Sequence, residues 1–141
     1  MRSHRAILAI TLLAMPNLTG CGPDQPKTHP VTGKVTLAGG NVKQLAGHYV
    51  EAVLDTDPLV RSSGIIGPDG GFTLETLHAG EILKGAREGK YQVRIVRAEE
   101  DDNGQKLRKP PIANQYFQFQ GSGLSLTVPA TNDLTLELRS R

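Results

Sequence analysis

The sequence predicts an all-β chain folded as an antiparallel β-sandwich of about seven strands. Three observations lead there. Apolar residues recur at every second position in one short segment after another, the period of a strand with one buried face. Clusters of Gly, Pro, Asn and Asp punctuate these segments about every ten residues, as turns require. Almost nothing in the chain carries the longer period of an amphipathic helix.

The chain of 141 residues opens with Arg2, His4 and Arg5, followed by Ala6-Ile7-Leu8-Ala9-Ile10-Thr11-Leu12-Leu13-Ala14-Met15. A helix of ~10 residues covers only about half of a bilayer's hydrocarbon core, so this is the length of a signal-peptide core and not of a membrane span. Pro16 and Asn17 break it, since proline lacks the amide donor and clashes with the preceding turn. Leu18-Thr19-Gly20-Cys21 follows, and Cys21 is the one cysteine in the chain. This run resembles the lipobox of bacterial lipoproteins. The resemblance implies that residues 1–20 are a signal peptide, cut on the motif Leu18, Thr19, Gly20, and that Cys21 is lipidated on its thiol and acylated, for example with palmitate, on its amine. Several acyl chains at ~0.8 kcal/mol per buried methylene hold a protein to a leaflet without a spanning helix. The protein is then expected in the bacterial cell envelope. Gly22, where aspartate favours inner-membrane retention in well-studied systems, implies the outer membrane, facing the periplasm or the cell surface.

Residues 21–30 read as the lipidated cysteine and a linker, with Pro23, Pro26 and Pro30 stiffening it toward polyproline geometry. Such a linker spans up to ~28 Å at ~3.1 Å per residue and would stand the domain off the membrane. Without Arg2 and Arg5 the 16 basic residues become 14, equal to the 14 acidic ones, so the working chain is formally neutral. That balance gives no electrostatic reason to expect nucleic acid as a partner. With Cys21 acylated there is no intrachain disulfide, and stability has to come from a packed core. The remaining length of about 120 residues suits one domain, placed at residues 31–141.

Val31, Val35 and Leu37 alternate with Thr32, Lys34 and Thr36 as the first strand, which Ala38-Gly39-Gly40-Asn41 ends as a turn. His48 to Leu54 is the next, closed by Asp55-Thr56-Asp57-Pro58, because proline cannot donate to a ladder. A shorter strand over Val60 to Ile66, the turn Gly67-Pro68-Asp69-Gly70-Gly71 and the strand Phe72 to Leu77 read as a hairpin, with Phe72, Leu74 and Thr76 opposed to Thr73, Glu75 and Leu77. His78 to Gly89 is ambiguous: Glu81-Ile82-Leu83-Lys84 suits a helical turn, but the glycines at 80, 85 and 89 argue against a long helix. Lys90 to Val96 follows, Tyr91, Val93 and Ile95 facing one way and Lys90, Gln92 and Arg94 the other. Ala98 to Pro111 is a long polar loop. Leu124, Leu126 and Val128, then Leu134, Leu136 and Leu138, mark the last two strands.

Pro30-Val31-Thr32-Gly33-Lys34-Val35-Thr36, Pro68-Asp69-Gly70-Gly71-Phe72-Thr73-Leu74 and Glu88-Gly89-Lys90-Tyr91-Gln92-Val93-Arg94-Ile95 resemble the three signature strands of carboxypeptidase regulatory-like domains. The resemblance covers about residues 30–138 and implies a transthyretin-like or immunoglobulin-like sandwich. It implies an accessory, adhesive or spacer role and brings no catalytic residues. Two stretches depart from the pattern: the connection from Leu77 to Gly89 is longer than usual, and the loop from Glu99 to Pro111 is unusually charged.

Candidate chemistry is sparse. In Glu99-Glu100-Asp101-Asp102-Asn103-Gly104, the residues Glu99, Asp101 and Asn103 fall at the first, third and fifth positions of a calcium loop and Gly104 at the sixth. Pro110 stands where the bidentate glutamate is needed, and Lys106, Arg108 and Lys109 neutralise the acidic run, so a solvated loop without metal is the expectation. His29, His48 and His78 sit on separate segments, short of a zinc set. Gly123-Leu124-Ser125-Leu126-Thr127 lacks the second glycine of a nucleophile elbow. Asp55 and Asp57 stand before a proline, where aspartate commonly bonds its own backbone. Lys90 and Arg94 offer a basic row to an anionic partner or to water. Tyr116, Phe117 and Phe119 are clustered beside the polar loop, either as a contact patch or packed onto the sandwich edge.

These observations predict a lipid-anchored, non-catalytic module with no cofactor, bound to the membrane through its lipid and to an unknown envelope protein or glycan. The competing readings are a carbohydrate-binding module with tyrosine and phenylalanine platforms, and a cryptic hydrolase.

Overall fold

Alternating apolar residues form strands because an extended chain points successive side chains to opposite faces. The computed structural model describes residues 24–141, so the leader and the motif Leu18, Thr19, Gly20, Cys21 lie outside the described residues. The described chain forms β1 (Thr28–His29), β2 (Thr32–Ala38), β3 (Tyr49–Leu54), β4 (Asp57–Ile65), β5 (Gly71–Thr73), β6 (Glu75–His78), β7 (Glu81–Lys84), β8 (Ala86–Arg87), β9 (Gly89–Val96), β10 (Ser125–Val128) and β11 (Leu134–Arg139). A six-stranded sheet runs in the order β10-β9-β3-β4-β6-β7, a three-stranded sheet in the order β11-β2-β5, and β1 pairs with β8. The sandwich expected from the sequence is present, with more and shorter strands than the seven anticipated.

The core lies between the two main sheets. Val50, Ala52 and Leu54 of β3, Tyr91, Val93 and Ile95 of β9, and Leu126 and Val128 of β10 meet Val35 and Leu37 of β2, Phe72 of β5, and Leu136 and Leu138 of β11. Outside β3, for which the sequence reading names no inward face, those alternations are as the sequence predicts. Tyr91 carries its hydroxyl into this core by donating to the Arg87 carbonyl at 2.9 Å, and burial pushes its pKa up. Beside it Ser62 and Thr76 share a hydrogen bond of 2.7 Å, and Thr76 Oγ1 donates to the Gly85 carbonyl at 2.7 Å. Buried hydroxyls paired in this way avoid the cost of an unsatisfied polar group.

Five features differ from the sequence reading. First, β11 pairs with β2 in parallel, so the smaller sheet is mixed. The chain reaches β11 by crossing over from β10 in the other sheet, and a crossover permits a parallel pair where a hairpin does not.

Second, Pro58 does not close a strand; it lies within β4. The register pairs Val53 with Arg61 but Leu54 with Asp57, so Pro58, Leu59 and Val60 bulge out of the ladder, where a missing donor costs nothing.

Third, the hairpin expected around Gly67 to Gly71 forms only in its second half. Phe72 pairs with Gly33 of β2, whereas Glu75 and Thr76 pair with Ser63 and Ser62 of β4. The strand passes from one sheet to the other at Leu74 while keeping its inward alternation. The crossing is tight enough that a Cβ at Gly64 would fall on the Thr73 carbonyl.

Fourth, Glu81 to Lys84 is a strand and not a helical turn. Ala79 and Gly80 take φ of 49° and 83°, the positive pair that suits a two-residue hairpin, and His78 lies opposite Glu81. This hairpin accounts for the extra length between Leu77 and Gly89.

Fifth, the linker is docked from Gln25 onward and does not stand free. Thr28 Oγ1 donates to the Lys84 carbonyl at 2.9 Å, and Gln25 Nε2 donates to Glu81 Oε2 at 2.6 Å. Gly85 permits this, since its φ is +86° and a Cβ there would meet the His29 carbonyl.

Candidate functional site

The outer face of the six-stranded sheet carries the charged side chains that the inward alternation leaves over. Glu51 of β3 lies opposite Arg94 of β9 and Ser63 of β4. Its carboxylate accepts from Arg94 Nε at 2.6 Å on Oε2 and from Arg61 NH1 at 3.1 Å on Oε1. The Phe119 ring covers the pair, 4.5 Å from the Arg94 guanidinium carbon and 5.6 Å from that of Arg61. A guanidinium over a ring face is worth about 0.5–1 kcal/mol at an exposed site, so Phe119 is held as the lid of an Arg–Glu–Arg cluster.

The three aromatic residues anticipated as one patch therefore separate. Tyr116, in the 3-10 turn Asn114–Phe117, is buried at 6% exposure and belongs to the core. Phe119 covers the cluster. Phe117 packs partly on the core and forms one wall of a cleft of about 360 Å³, whose other lining residues are Arg94, Ile95, Val96, Arg97 and Lys109. The Lys109 ammonium lies 5.9 Å from the Phe117 ring centroid. Arg97 reaches Glu99 at only 3.8 Å, with both groups largely in water. The cleft thus gathers an aromatic wall and the cations Arg97 and Lys109, with Arg94 alongside but paired to Glu51, and no carboxylate lines it. Chemically it suits an anionic group, carboxylate or phosphate, attached to a flat or apolar body. Lys90 is exposed on the same strand, but Arg94 is already committed to Glu51, so the basic row anticipated along β9 does not act as one.

His48 ties together the backbone on two sides of this cleft. The imidazole is buried at 1% exposure, with the Ala98 amide donating to Nδ1 at 3.1 Å and Nε2 3.1 Å from the Arg108 carbonyl. With Nδ1 accepting, the neutral ring carries its proton on Nε2 and donates it to Arg108. Ala98 and Arg108 are the chain neighbours of Arg97 and Lys109, so one side chain fastens the two cationic walls. Burial pushes the His48 pKa below its ordinary value of 6.5; the hydrogen bond to Arg108 opposes this, and the charge of Arg97 adds to it. The sequence contained the signal, because His48 shares its parity with Val50, Ala52 and Leu54 and so faces inward.

The acidic half of the loop is organised by its own backbone. Asp101 Oδ1 accepts from the amides of Asn103 at 2.9 Å and Gln105 at 2.8 Å, an Asx turn closed by Gly104 with φ +75°. The backbones of Glu100 and Lys106 pair antiparallel across it, and the Leu107 amide donates to the Glu99 carbonyl at 2.7 Å. Glu99, Asp101 and Asn103 are therefore placed in a turn in which the Asp101 oxygen is already engaged. Among the described residues no group of three or more His, Cys, Asp or Glu side chains is arranged to hold a metal. Among them, too, no helix is long and apolar enough to cross a membrane.

No family model, no curated protein and no solved structure matches this chain. What fold and site together define is a β-sandwich with a cationic, aromatic-walled surface cleft, clamped by a buried histidine.

Proposed function

We propose that the chain is a lipid-anchored, non-catalytic β-sandwich of the bacterial cell envelope, carried on an acylated Cys21 and binding an anionic segment of another envelope protein in the cleft of Arg94, Arg97, Lys109 and Phe117. The observation that carries the anchor is the Leu18-Thr19-Gly20-Cys21 run after a short apolar stretch. The observation that carries the binding role is the gathering of Arg97 and Lys109 beside the Phe117 wall. Outer-membrane location and membership among carboxypeptidase regulatory-like domains belong to the same proposal; they rest on Gly22 and on the three strand motifs.

An anionic glycan is the second reading, favoured by the Phe117 wall, since a ring can stack on a sugar while the cations take its acid group. A photo-crosslinking residue at position 117 of the full chain, with Cys21→Ala as the unanchored control, tests both. A discrete protein adduct lost in the control supports the first reading, and glycan adducts alone support the second. A pattern no different from that of a probe at exposed Thr127 contradicts the cleft.

A further inference from the structure

Three of the largest exposed aliphatic side chains lie at one end of the six-stranded sheet: Leu59 at 92% exposure, Leu77 at 72% and Ile82 at 69%. Leu77 and Ile82 are direct cross-strand partners, one pair back from the Ala79-Gly80 tip. Ser62 lies opposite Thr76 and Ser63 opposite Glu75 in an antiparallel pair, so lower numbers on β4 run toward the tip of the β6–β7 hairpin. Leu59, in the β4 bulge, is therefore at that same end. Scattered exposed leucines are ordinary, but a group of them at one end of a sheet marks a contact surface.

The N-terminal segment shows what that surface meets. Thr28 is fastened to Lys84 and Gln25 to Glu81, so the chain, followed backward, travels along β7 toward the hairpin tip. Four residue steps separate Gln25 from Cys21, at most ~14 Å at ~3.6 Å per residue. The acyl chains would thus enter the membrane close to the end of the sheet that carries Leu59, Leu77 and Ile82.

We infer that this apolar end seats on the lipid leaflet that holds Cys21, fixing the orientation of the domain so that the opposite strand ends, where β9 passes Val96 into the 98–111 loop, point away from the membrane. The inference rests on the lipid anchor proposed above and gives that anchor a second, non-covalent foot. Glu75, Glu81 and Lys84 around the apolar group carry both signs of charge, so insertion draws on apolar surface and does not require anionic lipid.

The test uses the full chain with acylated Cys21, reconstituted in phosphatidylcholine vesicles containing doxyl-labelled lipid. Acylation blocks the only native thiol, so Leu77→Cys, Ile82→Cys and, in the loop at the opposite strand end, exposed Asp102→Cys can each be labelled singly with a small fluorophore. Quenching by the doxyl lipid several-fold stronger at 77 and 82 than at 102 is the expected result. Equal quenching at the three positions, in protein that floats with the vesicles, overturns the docking and leaves the anchor standing. Protein that does not float with the vesicles overturns the anchor and the docking with it.

Discussion

Replacing His48 tests whether one buried side chain holds both walls of the cleft. In His48→Ala the Ala98 amide and the Arg108 carbonyl lose their partners; both bonds are only part-buried, so each loss falls below the middle of the about 1–3 kcal/mol that an unpaired buried group costs. The sum is about 1–3 kcal/mol, before any cost of the vacated space, against a total stability of about 5–15 kcal/mol for a domain. Urea unfolding read by linear extrapolation measures the loss. Amide exchange should rise first at Ala98, because that is the bond removed. A loss below about 0.5 kcal/mol, typical of a surface substitution, with Ala98 exchanging no faster, would refute the clamp.

Acid should act on the same residue. The folded protein resists protonating His48, whereas the unfolded chain takes up the proton near pH 6.5. Below that pH the unfolded state binds more protons and stability falls as pH falls, by at most about 1.4 kcal/mol per unit for one proton. Above it both states are neutral and His48 contributes no slope. The contribution is therefore full above pH 6.5 and is lost as the pH drops through the folded value. His48→Gln, which does not titrate, should flatten the profile below pH 6.5, and a profile unchanged by that substitution would contradict the assignment.

Other substitutions separate core from surface. Thr76→Val strands the Ser62 hydroxyl and the Gly85 carbonyl and should cost about 1–3 kcal/mol in urea unfolding, where a neutral result would show the hydroxyl chain to be dispensable. Phe119→Ala removes the ring from two guanidiniums and should cost about 1–2 kcal/mol, while leaving intact any binding of a model carboxylated peptide, read by calorimetry. Lys109→Glu should leave stability within about 0.5 kcal/mol and abolish that binding. Gly85→Ala forces a positive φ on a side chain and drives its Cβ onto the His29 carbonyl, so β1 should detach, read as faster exchange at the backbone amide of Arg87.

Much of the fold was legible in the sequence because a strand with one buried face writes itself as alternation. Val31 to Leu37, Phe72 to Leu77 and Lys90 to Val96 were each read with the correct inward residues. Pairing was less legible, since alternation states which face is buried and not which strand lies alongside. That is why the change of sheet at Leu74 and the parallel return of β11 were missed. The β6–β7 hairpin escaped for a local reason: its tight turn puts Ala79, not a glycine or asparagine, at the first positive φ. Of the site, Phe117 and Phe119 were visible as aromatic residues, but their separation depends on Arg61 and Arg94, brought together from strands more than thirty residues apart. By spacing alone His48 is one of three isolated potential ligands, although its parity with Val50, Ala52 and Leu54 places it inside.

Mass spectrometry of the N-terminal peptide of the mature protein, recovered from the membrane fraction of cells expressing the full chain, tests the account most directly. The account predicts a peptide that begins at Cys21 and carries a diacylglyceryl group and an amide-linked acyl chain. A peptide that begins at Met1, or one that begins at Cys21 with a free thiol, would contradict it.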